Sequence, residues 1–360
     1  MNKIPSNTGL KNIGFQLIDW YLKNCRDLPW RQTRDAYLIW VSESILQQTR
    51  VAQGMDYYNR FTTLFPDIYT LAAAHPDEVM KAWQGLGYYN RASNLLEAAR
   101  DVVNNRGGKI PSTYSELLKM KGIGPYIAAA IASFAFNERV PVVDGNVIRI
   151  ISRLAGIYST DRKIFTSIAS DMMDTEEPYL FNQAIMEFGA LQCVPVLPRC
   201  PECPFTEKCY AYTSGNVDNL PVKKTRPGRK NRYFHYFVII KPDGWIMKKR
   251  DSSDIWKGLY DFPLIETTRP VSIATLRFNP AWTALFDDHK PTITLSTGVF
   301  RHILTHQVIY AKFYLIDDNK DQICTNNSFL KISLKKSGSV PVPRLIENFI
   351  KTTDWQNRQI

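Results

Sequence analysis

No apolar run in this chain is long enough to cross a bilayer. The longest, IAAAIASFAF from Ile127 to Phe136, has ten residues, about half of the ~20 that a membrane-spanning helix needs. The first residues, MNKIPSNTGLKNIGF, lack the apolar core of a secretory signal. Internal repeats and low-complexity segments are also missing. Cysteine is scarce outside one segment, with four of the six falling between Cys193 and Cys209. The two outliers, Cys25 and Cys324, read as packing residues. Together these absences argue against a secreted, membrane or disulfide-stapled protein. They place the chain in a reducing cytoplasm, where clustered cysteines serve metals rather than disulfides.

The chain has 360 residues, 44% of them hydrophobic and 22% charged, which suits a soluble protein of two domains. Its formal charge of +11 suits a polyanionic partner such as nucleic acid. Residues of about 10–190 read as helices with short polar breaks. Asn219 to Arg232, NLPVKKTRPGRKNR, holds six basic residues, two prolines and no acid, the composition of an extended linker that can follow phosphates or simply tether. Beyond it, YFHYFVII, TITLSTGVF and HQVIYAKFYLI are rich in aromatic and β-branched residues, as strands are. The expected domains are therefore 1–218, helical with a metal loop; 219–232, a basic linker; and 233–360, smaller and mixed α/β.

The cysteines Cys193, Cys200, Cys203 and Cys209 are spaced C-x6-C-x2-C-x5-C. Zinc ribbons usually carry two short knuckles far apart, whereas one C-x2-C here sits between singletons at unequal distances. The spacing favours [4Fe–4S] over zinc, although the ligand type allows both. Prolines after Cys200 and Cys203 stiffen the loop.

Three further segments carry chemistry. In LLKMKGIGPYIAAAIASF (Leu117 to Phe134), helical patterning breaks at Lys121-Gly122-Ile123-Gly124-Pro125 and resumes. The glycines allow a sharp turn and a close approach, and the helix that follows offers N–H groups to an anion such as a DNA phosphate. The same residues also make a plain helix–helix turn. The stretch DAYLIWVSESILQQTR (Asp35 to Arg50) is a helix apolar around nearly its whole circumference, and so a buried one. Glu43 within it has Ile39, Trp40 and Leu46 as neighbours. A carboxylate removed from water pairs or takes up a proton, so Glu43 is a general acid near neutral pH, or else sits at the mouth of a cleft or is salt-bridged inside. Asp144, in RVPVVDGNVIRIISRL, precedes a helical pattern and reads as its N-cap. It can also face a cationic transition state.

Taken in order, SESILQQT (Ser42 to Thr49), GLGYYNRA (Gly85 to Ala92), KGIGPYIA (Lys121 to Ala128), VVDGNVIRI (Val142 to Ile150) and the cysteine spacing resemble the helix-hairpin-helix base-excision glycosylases, and among them the MutY-type adenine DNA glycosylases. The resemblance spans most of residues 25–210. It implies a multidomain α plus α/β protein, a helix-hairpin-helix glycosylase domain with an iron–sulfur loop followed by a Nudix-like domain. It also implies a [4Fe–4S] cluster on the four cysteines and double-stranded DNA with adenine opposite 8-oxoguanine or guanine as substrate. A monomeric enzyme working at the nucleoid is expected. Glu43 would protonate the adenine, Asp144 would stabilise the sugar cation, and Asn146 would hold Asp144. Leu28, Trp30, Arg31 and Glu187 would line the adenine pocket. Gln48 and Tyr88 would wedge into the vacated duplex, and Lys121, Gly122 and Gly124 would take phosphate.

Position 126 separates this family from endonuclease III-type relatives, whose lysine there forms a Schiff base. Tyr126 cannot, so a monofunctional glycosylase is expected. The C-terminal segment resembles the family's Nudix-like domain more loosely. No R-E-x-x-E-E run follows DIWKGLYDFPLIE (Asp254 to Glu266) to hold Mg²⁺. The family's Phe-Ser-His recognition loop is matched by Leu304-Thr305-His306, which keeps hydroxyl and imidazole and loses the ring. The competing readings are a bifunctional endonuclease III-like enzyme and a non-catalytic DNA-binding relative.

Overall fold

The structure is a computed structural model and describes residues 7–352 except 48, 174–175, 224–227, 243, 252–253, 288–290, 319–328 and 334–339. Gln48, Cys324 and part of the basic linker lie outside the described residues. Its helices, in chain order, are α1 Asn7–Asn24, α2 Ala36–Leu46, α3 Val51–Leu64, α4 Ile68–Ala73, α5 Pro76–Ala82, α6 Asn90–Asn105, α7 Tyr114–Leu117, α8 Pro125–Phe136, α9 Gly145–Ala155, α10 Arg162–Met172, α11 Pro178–Leu191, α12 Tyr210–Thr213, α13 Ile273–Leu276, α14 Pro280–Phe286 and α15 Arg344–Thr352. The strands are β1 Lys230–Lys241, β2 Gly244–Lys249, β3 Tyr260–Asp261, β4 Leu264–Thr267, β5 Ile293–Ser296, β6 Phe300–Ile303, β7 Gln307–Asp317 and β8 Leu330–Ser333. Among the described residues, no helix is long and apolar enough to cross a membrane.

The chain divides into two compact units, Met1–Ala72 with Glu97–Thr225, and Ala73–Leu96 with Arg226–Ile360. The first is helical. Side-chain oxygens start its helices: Asp35 accepts from Tyr37 N and Leu38 N at the head of α2, and Asp144 accepts from Val147 N at the head of α9. Such caps satisfy N–H groups that the helix itself leaves open. Gly156, at φ 65°, ends α9 in the left-handed region that glycine adopts without cost. Helices α1, α9, α10 and α11 enclose one core around Leu17, Ile150, Phe165, Phe181 and Phe188. Helix α2 is buried at eight of its eleven positions, Tyr37 and Ile39 to Ile45, as an all-round apolar pattern requires. It stops at Leu46, however, and α3 begins at Val51, so the single helix expected over Asp35–Arg50 is shorter. Cys25, expected to pack, is exposed.

Among the described residues, the second unit is built on an eight-stranded mixed sheet in which β1 pairs parallel with β7 and antiparallel with β2 and β4. Strand β1 is buried from Phe234 to its last residue, Lys241. Its alternate residues feed two cores, Phe234, Tyr236 and Val238 on one face and Phe237 and Ile239 on the other. This is the near-continuous hydrophobicity of a central strand covered on both faces. The stretch TITLSTGVF forms two strands, β5 and β6, broken at residues 297–299. Residues Ala73–Leu96 join this unit through specific polar bonds. Tyr260 Oη donates to Asp77 Oδ2 at 2.9 Å, Lys249 pairs with Asp77, and Val342 N donates to Gln84 Oε1 at 3.2 Å.

Helices α1 and α10 meet at Gly14, where an added Cβ would stand 2.2 Å from Met172 O. The clash is with backbone, so it cannot be relieved by a rotamer change. Gly14→Ala is expected to cost about 1–3 kcal/mol, read as a lower thermal midpoint of the first unit; an unchanged midpoint would contradict this packing.

Candidate active site

Glu43 stands in the middle of α2 with only 5% of its surface exposed. Its Oε2 accepts a hydrogen bond from Tyr126 Oη, on the first turn of α8. Burial raises the Glu43 carboxyl to about 7, against the smaller opposing pull of the Tyr126 bond; the Asp144 charge adds to the rise and Arg31 lowers it. Burial, followed by the Glu43 and Asp144 charges, likewise holds the Tyr126 phenol far above its ordinary value. The phenol therefore stays a donor.

Asp144 is the cap of α9, where Oδ1 accepts from Val147 N at 2.9 Å and Oδ2 from Asn146 Nδ2 at 2.7 Å. Burial pushes this carboxyl up, and the bonds from Val147 and Asn146 pull it partly back. Asn146 is itself held, because Arg149 Nη2 donates to its Oδ1 at 2.8 Å and to Gly189 O at 2.6 Å. Arg149 Nε reaches Cys193 O at 2.7 Å. One guanidinium thus joins the first cysteine of the loop to the residue that orients Asp144.

Glu187, on α11, is 1% exposed. Its oxygens accept from Arg26 N, Nε and Nη2 at 3.0, 2.8 and 2.6 Å, and from Arg31 Nη1 and Nη2 at 3.0 and 2.7 Å. Burial raises this carboxyl, but the two arginines outweigh it and hold it at about 2. Leu28 and Trp30 are buried beside Arg31 in sequence, with Trp30 edge-on to Tyr58 at 5.2 Å.

The hairpin after α7 places Gly122 at φ 76° and uses Gly124 as the N-cap of α8, with no side chain capping that end. A Cβ at Gly124 would meet nothing within 4 Å, so the approach to the helix start is open. Lys121, exposed, pairs with Glu97.

The four loop cysteines are free of disulfides and line one cavity of about 30 Å³ together with Ile150, Leu154 and Phe188. Among the described residues, no group of three or more His, Cys, Asp or Glu stands as a formed metal-ligand set. The donor chemistry nevertheless fits an iron–sulfur cluster, because all four donors are sulfur around an apolar hollow. Burial pushes Cys203 up to about 11 and raises Cys200 and Cys209.

In the second unit, Thr305 and His306 form the exposed two-residue tip of the β6–β7 hairpin, closed by Leu304 N donating to Gln307 O at 2.8 Å. Tyr88, at φ 48° and 48% exposed, bonds through its hydroxyl to Thr305 Oγ1 at 2.5 Å. Tyr88, Thr305 and His306 border one cavity of about 410 Å³, a size typical of small-ligand sites. Helices α13 and α14, IATL and PAWTALF, bring no carboxylate to the sheet.

The structure therefore brings Glu43 with Tyr126 and Asp144 with Asn146 into two hydrogen-bonded pairs near enough for the Asp144 charge to act on Glu43 and Tyr126, and Arg31 with Glu187 into another group; Tyr88, Thr305 and His306 border one cavity. Sequence reasoning missed Arg26, Arg149 and Gly189. Gly189 carried a readable signal, since a glycine inside a helix costs about 1 kcal/mol and needs a reason. A Cβ there would lie 2.5 Å from Asn146 Cβ.

Residues 41–170 match the HhH-GPD superfamily of base excision DNA repair proteins, and residues 235–352 match the NUDIX domain. The chain is 31% identical to an adenine DNA glycosylase of Buchnera aphidicola from Acyrthosiphon pisum, over 93% of this chain and 97% of that one. It is 36% identical to the Arabidopsis thaliana adenine DNA glycosylase over 84% of this chain, a match that spans 56% of the plant protein. Among solved structures, a thermostable thymine-DNA glycosylase superposes with a TM-score of 0.54 at 28% identity, covering 58% of this chain and 99% of that one. An endonuclease III–DNA covalent intermediate, at 19% identity and a TM-score of 0.53 over 59% of this chain and 99% of that one, shares the fold.

The raised Glu43 value has a measurable consequence. Below pH 4.5, the ordinary value, folded and unfolded chains both carry the proton. As pH rises towards about 7 the unfolded chain loses it first, and stability falls by about 3 kcal/mol in all. Glu43→Gln removes this dependence. Its melting advantage over the wild type should grow between pH 4.5 and 7 and then level off; a pH-independent difference would place the carboxyl in water.

Proposed function

This chain belongs to the adenine DNA glycosylase family, within the HhH-GPD superfamily of base excision DNA repair proteins, and on that premise we propose that it hydrolyses the N-glycosidic bond of adenine paired with 8-oxoguanine or guanine. The observation that carries the mechanism is the Glu43 carboxyl buried in the middle of α2 and bonded to Tyr126, a burial that raises it to about 7. Adenine is a poor leaving group until protonated. Tyr126 occupies Oε2 of Glu43, which leaves Oε1 to carry a proton to N7 of the extruded base, a step worth about 10²–10⁴ in rate. The C1′–N9 bond then breaks with its electron pair going to the purine. The sugar becomes cationic, and the Asp144 carboxylate, oriented by Asn146, stabilises it. Water adds to C1′ and releases its proton, giving free adenine and an abasic site.

Leu28 and Trp30 give the base pocket its apolar wall, and the Arg31–Glu187 pair gives it a fixed polar one. The target base leaves the stack at a cost of roughly a few kcal/mol, least at a mispair. Gln48 and Tyr88 would fill the gap, and Thr305 and His306 would read the opposite purine. At the hairpin, Lys121 exchanges Glu97 for a phosphate while Gly122 and Gly124 let the DNA backbone approach the α8 N–H groups; such contacts fix register without reading sequence. Cys193, Cys200, Cys203 and Cys209 would hold a [4Fe–4S] cluster, whose iron–thiolate bonds would brace the loop. Tyr126 stands where a lyase needs an amine, so cleavage stops at the base. The enzyme works as a monomer on chromosomal DNA in the cytoplasm.

Purified protein should release adenine from duplexes carrying it opposite 8-oxoguanine or guanine, revealed as alkali-labile abasic sites, with no borohydride-trapped adduct. Glu43→Gln should bind the 8-oxoguanine duplex and lose release by about 10²-fold or more. Activity confined to oxidised pyrimidines, or release persisting in Glu43→Gln, would refute the assignment. Single-turnover rates should fall as pH rises above about 7, where the acid loses its proton. Tyr126→Phe removes a bond that lowers the Glu43 value, so that alkaline limb should move upward; a downward shift would contradict the Tyr126 role.

A further inference from the structure

The cavity of the second unit is bordered by more than the hairpin tip. Trp256 lies on its wall with Tyr88, His302, Thr305 and His306. Leu304, where the family's loop carries an aromatic ring, is half-buried and packs against the sheet core. A cavity meant for a planar purine would then lack the ring expected from the tip. Trp256 supplies another. It is half-buried, with its ring edge-on to Phe234 at 6.2 Å and to His302 at 5.7 Å, two neighbours that fix its plane. Its backbone sits at φ 64°, a conformation that bulky side chains seldom adopt and that persists where the surroundings impose it, often at ligand sites. The turn is set locally, since Leu259 N donates to Trp256 O at 3.0 Å and Gly258 follows at φ 83°.

We propose that Trp256 is the stacking surface for the purine opposite the target adenine, taking the place of the ring that Leu304 does not supply. The inference rests on the reading of this cavity as the site of the opposite base. Indole offers a broad face on which any base stacks, whereas Thr305 and His306 supply the polar contacts at its edge. His302 acts as a positioning residue: burial, with the Arg344 charge second, lowers its titration, so a neutral ring rests against the indole.

The test compares affinities for two duplexes, each with a non-hydrolysable 2′-fluoro adenosine as target. One carries 8-oxoguanine opposite it and the other a tetrahydrofuran abasic analogue with no base to stack. Trp256→Leu and Trp256→Met keep an apolar chain over Phe234 and remove the π face; both should lower the ratio of the two affinities by about tenfold. Trp256→Phe should restore most of it. An unchanged ratio in the Leu and Met variants, with a fall in His306→Ala, overturns the stacking role and leaves the cavity reading standing. An unchanged ratio in all of them overturns both. A fall that Trp256→Phe does not rescue also sinks the proposal, because it would mark Trp256 as packing alone.

Discussion

A single buried guanidinium ties the start of the cysteine loop to the pair formed by Asn146 and Asp144. Arg149 is 8% exposed and spends its donors on Cys193 O, Asn146 Oδ1 and Gly189 O. Burying a charge is costly unless its hydrogen bonds are met, so these three acceptors must stay where they are. That requirement fixes the start of the cysteine loop and the side chain of Asn146, and through Asn146 one oxygen of Asp144. It also explains the absence of a side chain at Gly189, since α11 must approach α9 closely enough for its carbonyl to be reached.

Among the described residues of the helical unit, Glu43 and Glu187 are buried and Asp144 is half-buried, and their surroundings separate the three carboxylates. Glu187 meets two guanidinium groups and is held ionised, at about 2. Glu43 meets one phenol among apolar neighbours and keeps its proton to about 7. Asp144 is raised by burial and partly relieved by the bonds from Val147 and Asn146 at the helix start. Groups of one chemical type driven apart in this way can divide acid and anion roles between them. Glu187, already saturated with donors, is suited to shape rather than to proton transfer.

The second unit applies different physics. Apolar cores cover both faces of its sheet, and its cavity is lined by a hairpin tip and by a segment, Gly85–Asn90, that the chain contributes far upstream. The bond between Tyr88 and Thr305, 217 residues apart, closes that arrangement. Two conformations disfavoured for large side chains, at Tyr88 and Trp256, occur on the wall of the same cavity. Strain gathered around one hollow is what a preorganised site carries.

Much of this protein was readable from sequence because the signals were local. An all-round apolar helix around Glu43 requires burial, and burial is the largest cause of the rise in its carboxyl. An aspartate before a helical pattern caps it, and two glycines before Pro125 make the hairpin turn. The change from helical to strand texture after the linker marked the second fold. Other features came only from chain segments distant in sequence. The pairing of Arg26 with Glu187 across 161 residues, Arg149 as a joint, the end of α2 at Leu46 and the joining of Ala73–Leu96 to the sheet have no local signature. Hydrophobic period and capping act within a turn or two of the chain. A buried charge, by contrast, takes whichever partner the packed fold delivers, and only the folded protein determines that.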